Sequence, residues 1–213
     1  MKIEIWSDIA CPFCYIGRQH LQQALEKLPE IDANIEWKSF ELDPNAPVNS
    51  DVDIYDTLAK KYGRDRNWAK QMNANMVEMA SEAGLNFNMD EVKPTNSFNA
   101  HQLIHLAKKH GKQDEMKEAL LSAYFEKGLH VGDKEVLTSI AASVGLDTDE
   151  VKEVLEKDKF SSDVVSDVEE AHRLGVQGVP FFFINKKYGL SGAQPVDTFV
   201  EALSKIHQEE TVA

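Results

Sequence analysis

The sequence predicts an α/β protein made of a β-α-β unit, a large all-helical insertion and a closing β-β-α unit. Three observations carry this. An alternating stretch at Lys2–Trp6 is followed at once by a helix signal and then by a second β-rich stretch. Helical spacing dominates from about Asp51 to Leu174. An apolar strand, a tight turn, a short strand and a last helix complete the chain.

In Lys2–Trp6, Ile3 and Ile5 share one face and Glu4 and Trp6 the other, the period-two pattern of a strand. Pro12 falls where a helix begins, a position at which a missing N–H is no loss. Tyr15, Leu21, Ala24, Leu25 and Leu28 follow at helical spacing, and Pro29 stops the pattern. Ile35–Leu42 is rich in β-branched and aromatic residues and ends at Asp43–Pro47.

In the insertion, Gly84, Gly111, Gly128, Gly145 and Gly175 each follow an amphipathic stretch, as helix C-terminal glycines do. Asp147 with Glu150 reads as a capping box. Met72, Met76 and Met79 recur at helical spacing, a core pattern more than a binding surface. Further on, Pro180–Asn185 reads as a buried strand and Tyr188–Ser191 as its partner across an Asn-Lys-Lys turn. Pro195 starts a helix with Val196, Phe199, Val200, Leu203 and Ile206 on one face. The two outer units are the minimal parts of a thioredoxin fold. They place residues 1–45 and 176–213 in a thioredoxin-like domain and residues 46–175 in a helical insertion domain.

The chain of 213 residues is long enough for such a core. A net charge of −13 disfavours a nucleic-acid partner, because neutralising phosphates needs clustered Lys and Arg. No apolar run is long enough to cross a bilayer, so no membrane partner is expected. The first residues hold one lysine and no apolar block of the kind a signal peptide needs, and the expected location is cytoplasmic.

Both cysteines, Cys11 and Cys14, lie in one CxxC between the first strand and the first helix. If Cys11 caps that helix, the unpaired N–H groups and the positive end of the dipole favour an anion there. A thiolate is the nucleophile of thiol–disulfide exchange. Cys14, one turn further on the same side, is then the resolving thiol. Three other readings compete. A structural disulfide closing so short a loop stabilises by only about 2 kcal/mol. A zinc site would need two more ligands, and His101 and His105 stand one helical turn apart; the proline between the cysteines and the lack of a second CxxC weigh against it. Two incidental core cysteines at this spacing would be a coincidence.

Gly178-Val179-Pro180 precedes the apolar strand. Without fold context a trans-proline entering an edge strand carries equal weight, but with the β-α-β and β-β-α plan a cis Val179–Pro180 bond becomes the better hypothesis. A cis bond would leave the Val179 backbone free to pair with an extended substrate beside Cys11. Glu41, if it faces inward, is a candidate base for Cys14. Asp8 reads as a brace for the loop. Phe13, Tyr15 and Trp6 could form an apolar rim, although core packing explains Trp6 and Tyr15 equally well.

Taken together, Asp8–Gly17 (DIACPFCYIG), Phe40–Pro44 (FELDP), Asn99–His101 (NAH), Gly175–Pro180 (GVQGVP) and Ser191–Pro195 (SGAQP) resemble the DsbA-like branch of the thioredoxin superfamily, in its FrnE-type group. The resemblance spans nearly the whole chain. It implies a thioredoxin fold with a helical insertion, Cys11 as nucleophile, Cys14 as resolving cysteine and Pro180 as a cis-proline facing them. Pro12, Phe13, Val179 and Pro180 are then the expected substrate-binding surface. One departure is Phe13, where periplasmic oxidants of the family carry histidine. Without that donor the disulfide should be less oxidising; roughly 30 mV corresponds to about 1.4 kcal/mol. Kappa-class glutathione transferases and chromene-carboxylate isomerases resemble the plan but carry serine at the place of Cys11, so a glutathione-dependent transferase or isomerase is the alternative. The expected function is that of a thiol–disulfide oxidoreductase acting on protein or small-molecule thiols and disulfides, with a separate redox partner to recycle it. No metal and no resident cofactor are expected; glutathione is a candidate thiol co-substrate.

Overall fold

The structure is a computed structural model that describes residues 1–212, with side chains for residues 1–210. Ala213, the last residue of the expected thioredoxin-like part, lies outside the described residues. The chain opens with β1 (Lys2–Ser7), α1 (Pro12–Glu26) and β2 (Asn34–Ser39). Seven α-helices follow among the described residues: α2 (Ile54–Tyr62), α3 (Arg66–Glu82), α4 (Phe98–Lys109), α5 (Gln113–Phe125), α6 (Lys134–Ser143), α7 (Thr148–Lys157) and α8 (Ser161–Arg173). The close is β3 (Phe181–Ile184), β4 (Tyr188–Ser191) and α9 (Val196–Val212).

The four strands form one sheet in the order β2-β1-β3-β4. β1 runs parallel to β2 and antiparallel to β3, and β4 is antiparallel to β3. As an inner strand, β1 is covered on both faces, which is why Ile3, Ile5 and Trp6 are all fully buried despite their opposite parity. One face joins a large core that continues through the insertion, with Ile5, Trp37, Leu103, Leu120, Leu155, Phe182 and Phe199 in a single cluster. On the other face Trp6 packs with Phe40, Ala171 and Val176.

β2 ends at Ser39, short of the expected Leu42. Its partner β1 ends at Ser7, opposite Ser39, and beyond that point Asp8 takes the Leu42 N–H at 2.7 Å, while Asp167 binds the Ser39 N–H, still within the strand, at 2.9 Å. α5 is clamped to β2 through Gln113, whose side chain accepts from the Trp37 N–H at 3.0 Å and donates to the Trp37 carbonyl at 2.9 Å.

The insertion glycines at 84, 111, 128, 145 and 175 all have positive φ, the left-handed conformation in which a helix end is easiest for glycine. Asp147 caps α7 by accepting from the Asp149 and Glu150 N–H groups, whereas Glu150 turns to Lys109 and His110 and leaves the reciprocal half of the capping box unmade. The methionine stripe is a correction. The buried face of α3 is Ala69, Asn73, Met76 and Ala80, a narrow row of mostly small residues, and Met72 and Met79 flank it in solvent. The β3–β4 hairpin turns over Asn185, Lys186 and Lys187, with Asn185 and Lys186 at positive φ and the Lys187 N–H donating to the Ile184 carbonyl at 3.0 Å.

Candidate active site

β1 ends at Ser7, and a short loop carries Asp8 to Cys11. Cys11 is the N-cap of α1, with φ −108° and ψ 110°, and Pro12 opens the helix. The Cys14 N–H donates to the Cys11 carbonyl at 3.0 Å, so both cysteines belong to one first turn. Both are free thiols. Cys11 is 3% exposed and Cys14 not at all, which makes Cys11 the outer sulfur.

The Val179–Pro180 peptide is cis. The Cys11 thiol points at the Val179 carbonyl, Sγ to O 3.6 Å. Pro180 is held from the other side, where its carbonyl accepts from the Gly192 N–H at 2.8 Å. Gly17 makes room for it, since a Cβ there would stand 3.0 Å from Pro180 Cγ. The structure therefore brings Cys11, Cys14, Val179 and Pro180 together. Around them Phe13 is exposed, and Pro12 and Val179 are half-buried. Trp6 and Tyr15 are not part of a rim; both are core residues, Tyr15 stacking on Phe87 with ring centroids 5.8 Å apart.

Behind the sulfurs lies a buried charged layer. Asp8 accepts from the Ser97 hydroxyl at 2.7 Å and the Leu42 N–H at 2.7 Å, and faces His101 Nε2 at 3.3 Å. Burial alone would raise its pKa, but His101, Leu42 and Ser97 overcome this and hold the carboxyl at about 2. The brace expected at Asp8 is thus also a fixed negative charge. His105 faces Asp167 at 3.2 Å and the Ser39 hydroxyl at 3.1 Å, so His101 and His105 serve separate carboxylates instead of converging on the cysteines. Among the described residues, no three His, Cys, Asp or Glu side chains are grouped to hold a metal ion. Glu41 lies past the end of β2, where burial and then the Asp8 charge raise its pKa.

The two thiols titrate as a pair. Hydrogen bonding with Cys14, then burial, holds the Cys11 thiol well above the ordinary value. Burial also opposes ionisation of Cys14, but the hydrogen bond from Cys11 and the Lys117 charge outweigh it and bring Cys14 below the ordinary value. In the reduced pair the two sulfurs share one proton, and the Lys117 charge favours the anion on the Cys14 side. The reason is local: Cys11 faces a carbonyl oxygen, whereas Cys14 faces a cation.

Lys117 was not singled out from the sequence. A signal for it exists, because Gln113, Met116, Lys117, Leu120, Leu121 and Tyr124 form the buried stripe of α5, and a lysine on such a stripe is rare.

The DSBA-like thioredoxin domain model matches residues 2–204 of the chain. A probable DsbA oxidoreductase from Streptomyces coelicolor has a structure similar to this one, with TM-score 0.93 and 36% identity, covering 98% of this chain and 91% of its own. The protein YwbO of Bacillus subtilis (strain 168) is 28% identical over 206 residues, 96% of each chain. The cytosolic disulfide reductase DsbM from Pseudomonas aeruginosa, solved with GSH, shares the fold at TM-score 0.68 and 15% identity, over 98% of this chain and 100% of its own. With sheet, insertion and cysteine pair all inside the matched span, the chain belongs to the family of DSBA-like thioredoxin domains and is an oxidoreductase enzyme.

Proposed function

We propose that the chain exchanges disulfides with protein or small-molecule thiols through the Cys-Pro-Phe-Cys pair, as a FrnE-type thiol–disulfide oxidoreductase. The observation that carries the reading is the placement of Cys11: N-cap of α1, outer sulfur of the pair, and 3.6 Å from the Val179 carbonyl. In the reducing direction the shared proton passes to Cys14, and the Cys11 thiolate attacks a substrate disulfide. A Cys11–substrate S–S bond forms, and the other substrate sulfur leaves as a thiolate. Cys14 then gives up that proton and attacks Cys11 Sγ, the Cys11–substrate S–S bond breaks, the second substrate sulfur departs as a thiol, and the enzyme is left oxidised. The reverse sequence oxidises a dithiol.

Phe13 supplies exposed apolar surface at the mouth, and Pro12, Val179 and Pro180 form the floor against which an extended substrate lies. The two sulfurs carry the electrons, so no resident cofactor is required, and glutathione is a thiol of the right class to return the pair to its reduced form. Cysteines confined to one reactive motif suit a cytoplasmic setting, where structural disulfides do not persist. No helix among the described residues is long and apolar enough to cross a membrane.

Equilibration in glutathione redox buffers, followed by alkylation and mass measurement, tests the reading. The expected result is one reversible two-electron transition, more reducing than the roughly −120 mV of the strongest oxidant of this fold. A pair that stays dithiol across the whole buffer range, or accumulates only glutathione adducts, would contradict it.

A further inference from the structure

Four buried side-chain polar atoms among the described residues have no hydrogen-bond partner: Ser7 Oγ, His101 Nδ1, Lys117 Nζ and Asn73 Nδ2. Three of the four belong to the layer behind the cysteines. A buried ammonium without a hydrogen bond is the most costly of these, and such a group persists where a charge answers it. Lys117 is fully buried on the apolar stripe of α5, and its Nζ lies 5.3 Å from the centre of the Trp37 ring. α5 is held in place by the Gln113 clamp on Trp37, one helical turn away. The ammonium therefore has little freedom to reach solvent.

The charged groups that face it are few. Cys14, Asp8 and Cys11 favour its protonated form, while Arg18 and, from α4, His101 stand against it as positive or potentially positive neighbours. Arg18 is itself engaged outward, with Asp114 at 2.7 Å and with Glu118. Asp8 already accepts from Ser97, Leu42 and the Ala10 N–H, and it faces His101. Among the groups that favour the Lys117 ammonium, Cys14 weighs most, ahead of Asp8 and Cys11.

We propose that Lys117 is the built-in counter-charge of the Cys11–Cys14 pair, a positioning residue that holds the sulfur anion without touching substrate. The inference rests on the redox reading above and deepens it. Reduction puts two electrons into the S–S bond, taken from two substrate thiols that become a disulfide. The bond breaks to one thiol and one thiolate, with one proton kept by the pair. The second proton goes to Lys117 where its amine is neutral and otherwise to solvent. Burial lowers the Lys117 pKa to about 8 against the pull of the cysteines, so its charge state responds near neutral pH. The coupling is reciprocal: whatever the ammonium does to the thiolate, the thiolate does to the ammonium.

Two measurements on the full chain test this. In reduced Lys117→Met, thiolate absorbance followed against pH should show the first sulfur pKa raised by about one unit or more, the usual effect of losing a close opposite charge. The thiolate fraction at a fixed pH below that pKa then falls about tenfold. At a pH above both the wild-type and the variant sulfur pKa, the equilibrium with glutathione moves about tenfold toward the disulfide, or about 30 mV. A purely structural lysine would leave both values where they were. In the unmodified protein, the Lys117 side-chain carbon resonance should titrate about one unit or more higher in the dithiol than in the disulfide form, a readout that stands even if the variant fails to fold. An unchanged sulfur pKa and potential in folded Lys117→Met, or a Lys117 titration indifferent to redox state, would overturn the proposal while leaving the redox reading intact. A wild-type pair that cannot form a reversible disulfide would overturn both.

Discussion

Replacing Gly17 by alanine sets two effects of opposite sign against each other. In an unconstrained helix interior the change stabilises by about 1 kcal/mol, because alanine is the better helix former. Here the new methyl meets Pro180 Cγ at 3.0 Å, Phe182 Cζ at 3.3 Å and Ala193 Cα at 3.4 Å. Phe182 is fully buried and packed edge-on against Phe199, ring centroids 4.8 Å apart, so it has nowhere to retreat. Ala193 presents backbone. Pro180 must yield, against the hydrogen bond that ties its carbonyl to Gly192. Overpacking of this kind costs about 1–3 kcal/mol. It therefore exceeds the propensity gain, and the net loss is about 1 kcal/mol, or a fall in Tm of about 2–4 °C for a chain of this size.

The displaced element is the one that faces Cys11. Exchange with a peptide disulfide that lies along Val179 should slow roughly fivefold, a modest share of what an ångström of misplacement costs a reacting pair. A small aromatic disulfide, which needs only the sulfur, should react almost as before. Thermal unfolding of the reduced protein and stopped-flow rates with the two substrates measure both effects. A Gly17→Ala protein at least as stable as the wild type, with an unchanged peptide rate, would refute the packing argument.

Two further outcomes follow from the charged groups that fasten the fold. Glu36 lies between Lys2, Lys38 and Lys108; burial alone would raise its pKa, but hydrogen bonds from Lys108 and Lys2 bring it from 4.5 to about 2. A depressed carboxyl pKa gives stability that is complete above pH 4.5 and is lost as the pH falls toward 2. Urea midpoints should therefore drop more steeply over that window in the wild type than in Glu36→Gln, and parallel profiles would contradict this. The buried Asp167 carboxylate receives the Lys38 ammonium at 3.0 Å and the Ser39 N–H at 2.9 Å. Asp167→Ala strands the buried Ser39 N–H, while Lys38 keeps Glu170 and Glu36, and should cost about 1–3 kcal/mol in urea unfolding; a loss below about 0.5 kcal/mol would show that α8 is held on β2 by other means.

The parts of the fold that were legible in the sequence are those fixed by local pattern. The alternation at Ile3 and Ile5, the helix start at Pro12, the glycines ending the insertion helices and the Asn185–Lys186 hairpin all follow from neighbouring residues. What escaped depends on partners far along the chain. β2 stops early because its partner β1 ends at Ser7 and because Asp8, 34 residues from Leu42, takes the Leu42 N–H. Trp6 and Tyr15 resemble a rim in sequence because they flank the motif, but both faces of β1 and the inner side of α1 are covered by elements that arrive later. Within the site, Cys11, Cys14 and Pro180 were readable from motif and spacing. Glu41 drew attention as an acid on a strand, yet the charges acting most directly on the sulfurs come from Asp8 and from Lys117, a residue on a helix of the insertion.

The most direct measurement traps the covalent intermediate. Reduced Cys14→Ser, mixed with a peptide disulfide, should accumulate a mixed disulfide on Cys11 that persists because no second sulfur displaces it. Reduced Cys11→Ser under the same conditions should form almost none, since the remaining sulfur has no exposed surface. Adducts formed equally by both variants, or only on Cys14, would contradict the assignment of Cys11 as the attacking sulfur.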